Sequence, residues 1–88
     1  PLKKVELPQP EIRPEVFAKD GQLVVRLQTS KFAKDVYLSA PGIKGRFSDN
    51  FFDLVPGRSY EVGFISDQPP GADQLKLALK IISLKDTY

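Results

Sequence analysis

The chain has no cysteine, no histidine, no methionine and no tryptophan among its 88 residues. Without cysteine there is no disulfide, no zinc–thiolate site, no iron–sulfur cluster and no thiol nucleophile. Without histidine the commonest general base and the commonest imidazole metal ligand are missing, so Ser–His–Asp chemistry cannot be assembled. Carboxylates, lysines, tyrosines and hydroxyls are the reactive groups that remain, and a chain this short has little room for a deep pocket. Uninterrupted apolar runs stop at two or three residues, too short to span a bilayer as a helix, and no secretory signal is legible. No excess of one charge stands out either: 13 basic against 11 acidic residues leave a net +2, which does not make a nucleic-acid or membrane-surface binder.

What is present is enough for a core. Ten Leu, seven Val, five Ile and six Phe make up about a third of the chain, well above the level at which a polypeptide stays disordered. Its 9.8 kDa allow one domain. The first residue is Pro1 rather than Met, so the chain is expected to be a piece of a longer protein. Residues 1–14 hold four of the eight prolines. Proline removes a backbone donor and fixes φ, so this stretch is expected to be a linker or an irregular edge strand. Residues 15–88 form the domain proper.

Within it the periodicity is that of strands. Asp20-Gly21 is a strong two-residue hairpin signal, with Val16 and Ala18 before it and Leu23, Val25 and Leu27 alternating after it. Val36-Tyr37-Leu38 reads as a short strand closed by Pro41-Gly42. A fourth strand is expected over 45–52 and a fifth over 58–65 with Tyr60, Val62 and Phe64 inward. After a Pro-Pro-Gly loop at 69–71, Leu75, Leu77, Leu79 and Ile81 alternate with Lys76, Ala78, Lys80 and Ile82, which predicts a last strand. Short strands at this spacing predict an all-β fold: an immunoglobulin-like or fibronectin type III-like antiparallel β-sandwich of about seven strands.

The informative segment is FSDNFFDLVPGRSY, residues 47–60. Leu54, Pro56, Gly57 and Tyr60 fit a corner between two sandwich strands: Pro56 pre-sets φ, Gly57 supplies the positive φ of a type II turn, and Leu54 enters the core. Tyr60 is expected to fold over the corner and donate its hydroxyl to an upstream backbone carbonyl, the logic of the tyrosine corner. Asp49 and Asn50 are turn formers. Asp49 and Asp53 could be read as a carboxylate pair, but four strand positions span about 13 Å, whereas a retaining glycosidase pair needs about 5–5.5 Å. Calcium needs six to eight oxygens, which these residues do not supply. No catalytic, cofactor or metal residue is therefore assigned. Phe51 and Phe52, being adjacent, face opposite ways in a strand. One belongs to the core; the other is a candidate contact for a neighbouring domain or, second, for a sugar.

FSDNFFDLVPG resembles the signature of the C-terminal immunoglobulin-like domain of β-mannosidases of glycoside hydrolase family 2. ISLKDTY, residues 82–88, is similar to the tail on which such enzymes close, and the resemblance covers residues 16–88. The L-x-P-G-x-x-Y portion is shared with fibronectin type III modules. Arg58 departs from the pattern, which usually has an acidic residue there. The resemblance implies a parent enzyme that removes terminal β-linked mannose with retention, using two glutamates on a separate (β/α)₈ barrel. Neither glutamate maps onto this chain, where Glu6, Glu11, Glu15 and Glu61 read as solvated surface. It further implies an accessory domain, monomeric alone, whose partners are the other domains of its parent, with no cofactor. A carbohydrate-binding module making weak glycan contacts and a fibronectin-type protein-interaction module are the alternatives. A cytoplasm and a periplasm or secreted location both accommodate a cysteine-free chain.

Overall fold

A computed structural model describes residues 3–8 and 11–87 of the chain, with side chains over 11–83. Parts of the proline-rich 1–14 stretch (Pro1, Leu2, Gln9, Pro10), the Glu6 side chain and most of the 82–88 motif's side chains lie outside the described residues. Among the described residues, eight strands and one short helix follow in the order β1 (Lys3–Pro8), β2 (Ile12–Lys19), β3 (Gln22–Thr29), β4 (Ala33–Ser39), β5 (Arg46–Phe47), β6 (Phe52–Leu54), β7 (Tyr60–Ile65), α1 (Ala72–Ala78) and β8 (Lys80–Thr87). They form two four-stranded sheets, β1-β8-β4-β6 and β2-β3-β7-β5, with every described pairing antiparallel. This is the all-β sandwich the sequence predicts.

Only the β2–β3 hairpin stays within one sheet. It turns through Asp20 and Gly21, both at positive φ (53° and 79°), as a type I′ turn requires, and Lys19 pairs with Gln22. The period-2 pattern then places Leu23, Val25 and Leu27 inside, facing Val36, Leu38, Phe52 and Leu54 of the other sheet in one cluster. The proline-rich stretch holds a regular edge strand, β1, and the start of β2. Pro14 pairs with Leu27 in a strand that is itself at a sheet edge, where a missing donor is tolerated.

Two elements differ from the sequence-based expectation. The fourth strand is two: β5 pairs with β7 in one sheet and β6 pairs with β4 in the other, with residues 48–51 carrying the chain across. Phe51 sits at φ +59° in that crossing, a conformation that ends strand geometry. The expected last strand from Leu75 begins only at Lys80; Ala72–Ala78 is a helix. The alternation of Leu75, Leu77 and Leu79 concealed a helical stripe, because Ala72, Leu75 and Leu79 stand at i, i+3 and i+7. Leu75 is fully buried and Ala72 and Leu79 pack against the core, whereas Leu77 is 89% exposed. Gly71 in extended conformation starts the helix, Asp73 lies in its first turn and Lys76 in its last, each suited to the helix dipole. The extended backbone of Leu79 (φ −65°, ψ 130°) ends it and leads into β8.

Candidate functional site

Residues 47–60 carry the chain between sheets twice, from β5 to β6 and from β6 to β7. Each passage takes backbone groups off a ladder, and such groups must find other partners. The short polar side chains of the segment supply them. Ser48 and Gly63 bond twice: the Ser48 N–H donates to the Gly63 carbonyl at 2.8 Å, and the Gly63 N–H donates to Ser48 Oγ at 2.9 Å. Asp49 Oδ1 accepts from the Asn50 N–H at 2.9 Å. Asn50 Oδ1 reaches the opposite sheet and accepts from the Leu38 N–H at 2.7 Å.

Asp53 serves a different defect. In the β4–β6 pairing Ala33 faces Leu54 and Val36 faces Phe52, so Lys34 and Asp35 together stand opposite Asp53 alone. That is a β-bulge, with Asp35 at φ +52°. The freed Asp35 N–H donates to Asp53 Oδ1 at 3.1 Å. The freed Lys34 carbonyl accepts the hydroxyl of Ser83, a buried polar side chain of β8. Asp49 and Asp53 thus hold two separate irregularities rather than facing one substrate. Among the described residues no three His, Cys, Asp or Glu side chains gather at metal-binding range.

Tyr60 closes the segment. Leu54 is 2% exposed and anchors the end of β6. Pro56 and Gly57 then turn the chain, with Gly57 at φ +84° and the Arg58 N–H donating to the Val55 carbonyl at 3.2 Å. Tyr60 stacks its ring on Phe52 at 4.4 Å between centroids and 24° between planes, joining one sheet to the other. An aromatic pair of this kind contributes about 0.5–1.5 kcal/mol beyond burial. The phenol donates to Asp49 Oδ2, not to the backbone carbonyl the sequence suggested, because the β5–β6 crossing brings a carboxylate to that place first. The bond to Asp49 raises the phenol above its ordinary value, with burial and the carboxylate's charge adding to it.

Gly45, just before β5, has a role the sequence did not single out. It sits at φ +143°, and a Cβ there would lie 2.5 Å from Phe64 Cζ and 2.7 Å from the Ile65 carbonyl oxygen. Only glycine lets the chain lie against the Phe64 ring, which Phe47 meets edge-on at 5.0 Å. Of the two adjacent phenylalanines, Phe52 is in the core and Phe51 is 62% exposed. The Phe51 ring lies 5.5 Å from that of Tyr37, tilted by 34°, so the pair makes no flat platform for a sugar ring.

The outer face of the β2-β3-β7-β5 sheet carries a polar cluster centred on Glu61, with Ile65 exposed at the end of β7. Arg26 Nε and Nη2 donate to Glu61 Oε2 at 3.0 and 2.9 Å. Its guanidinium lies 4.8 Å from the centre of the Phe17 ring, and Lys19 Nζ is 3.7 Å from Glu61 Oε1. The bonded Arg26, foremost, holds the Glu61 carboxyl below its usual range; Lys19 adds to this against an opposing desolvation effect.

Comparison with known proteins gives this architecture its relatives. The family model Ig_mannosidase, an Ig-fold domain, matches residues 7–87. The chain is 37% identical over 73 residues to a beta-mannosidase of Mus musculus and 34% identical over 73 residues to one of Capra hircus, each alignment covering 83% of this chain and 8% of the relative. A beta-mannosidase of Bos taurus is 38% identical over 65 residues, 74% of this chain and 7% of the relative. The chain therefore spans less than a tenth of the length of these relatives. With a match across nearly its whole length and a two-sheet sandwich to go with it, the chain belongs to the Ig-fold domain family found in beta-mannosidases.

Proposed function

We propose that the chain is a non-catalytic accessory domain, from the carboxyl-terminal part of a β-mannosidase-like retaining exoglycosidase, that packs against the other domains of that enzyme. One observation carries the reading. In the segment that resembles the mannosidase signature, Ser48, Asp49, Asn50, Asp53 and Tyr60 each spend their polar groups on the strand crossings and the bulge. The signature is then a device for building the sandwich, and the hydrolysis of β-mannosides belongs to another part of the parent. The similarity to beta-mannosidases many times longer supports such a parent. The function of the domain is mechanical: it presents a fixed surface to its neighbours. Intramolecular domain interfaces bury about 600–1,500 Å².

The test is direct. The purified 88-residue chain, incubated with p-nitrophenyl β-mannoside, is expected to release no nitrophenol above the buffer rate. Turnover that stays with the chain through purification and is lost in Asp49→Asn or Asp53→Asn would overturn the reading.

A further inference from the structure

Among the described side chains the two outer faces of the sandwich are unlike. On the β2-β3-β7-β5 sheet, Arg26, Glu61, Lys19 and Phe17 satisfy one another. On the β1-β8-β4-β6 sheet three large apolar side chains at the ends of β4 and β6 are exposed, beside the exposed Lys34 and Asp53. Phe32 is 59% exposed and Val55 46%; they flank the Ala33–Leu54 pair, so the register sets them across from each other one step beyond it. Toward the other end of β4, Tyr37 carries the exposed Phe51 ring on its own, and Tyr37 pairs with half-buried Ile82 of β8. Phe51 also holds a left-handed backbone, which is strained for a bulky residue. Its ring is 62% exposed and meets the ring of Tyr37. An exposed apolar patch of this kind on a domain from a longer chain marks a contact surface.

We infer that the outer face of the β1-β8-β4-β6 sheet, through Phe32 and Val55 at one end and Phe51 on Tyr37 at the other, is the face by which this domain docks on an apolar surface of its own parent polypeptide. The inference rests on the accessory-domain reading above and adds the face and the chemistry of the partner surface. Three observations select this occupant. The relatives carry more than nine-tenths of their length outside the matched region, so an intramolecular neighbour is at high effective concentration. The 34° tilt between Tyr37 and Phe51 fits interdigitation with side chains better than the flat face of a sugar. On the opposite outer face Arg26, Lys19 and Glu61 already pair with one another.

The experiment uses the full-length parent polypeptide. The domain has no cysteine, so single cysteines placed by Phe32→Cys, Phe51→Cys and Val55→Cys, with Lys19→Cys and Gln28→Cys on the other outer face as controls, can be read by maleimide labelling and peptide mass spectrometry. Relative to urea-unfolded parent, the first three are expected to label more slowly than the controls by about tenfold or more. Hydroxyl-radical footprinting of the unsubstituted parent reads the Phe32 and Phe51 rings without any substitution and is expected to show the same protection. Labelling of positions 32, 51 and 55 as fast as the controls overturns the inference. If the controls are the protected ones, the domain docks by its other face and the accessory reading stands; if neither face is protected, both fall. Protection that disappears on dilution means a second copy is the occupant, and protection that appears only with added mannose means a sugar is; either result overturns the inference.

Discussion

At the residue scale the decisive feature is that short polar side chains replace lost ladder partners. Tyr60 is the clearest case, because its role has a pH signature. Deprotonating the phenol in the folded state would set an anion against the Asp49 carboxylate that now accepts its proton. The folded value is accordingly raised above the ordinary 10.0. The unfolded chain therefore releases this proton more readily than the folded one. The stability Tyr60 contributes is complete below the ordinary value and fades as pH rises through the folded one. Urea melts of the native chain and of Tyr60→Phe, taken between about pH 8 and pH 11, are expected to show a gap that is constant at the lower end and shrinks above about pH 10. A gap that widens with pH would mean that the phenol is not held by the carboxylate. The sequence made a corner at Pro56-Gly57 and a ring over it legible, since both residues dictate backbone geometry. The acceptor was not legible, because it depends on where a separate crossing delivers Asp49.

At the scale of elements, the same Leu spacing served two readings. Leu75, Leu77 and Leu79 satisfy a period of two, and Ala72, Leu75 and Leu79 satisfy a helical stripe; the Pro-Pro-Gly loop before them and the early Asp73 favour the second. The two assignments differ at Leu77, which is inward in a strand and in water in the helix. Leu75→Ala is expected to destabilise by about 2–5 kcal/mol as a buried truncation, and Leu77→Ala by less than about 0.5 kcal/mol as an exposed one. Equal costs in urea titrations would return the segment to a strand. The β2–β3 hairpin was legible because Asp20-Gly21 fixes turn and register together. The break between β5 and β6 was not, because residues 45–54 mix aromatics with turn formers and the tertiary structure decides which sheet each half joins. The bulge at Lys34-Asp35 carries no glycine to announce it; its signals are the distant side chains of Asp53 and Ser83, which only the fold brings near.

At the scale of the whole molecule, the sandwich is two sheets linked by connections that, apart from the hairpin, all cross. Apolar burial holds the layers face to face, and the segment from Ser48 to Tyr60 pins them where the chain changes sheets. The segment that resembles the mannosidase signature consists of these crossing residues, which hold the architecture together. The pin can be measured by a double-mutant cycle of Asp49→Ala, Tyr60→Phe and the pair, followed by urea unfolding at neutral pH. The account predicts a favourable coupling of about 0.5–2 kcal/mol between the two residues. Strictly additive effects would contradict it, because the carboxylate and the phenol would then act apart and the crossing would have lost its clasp.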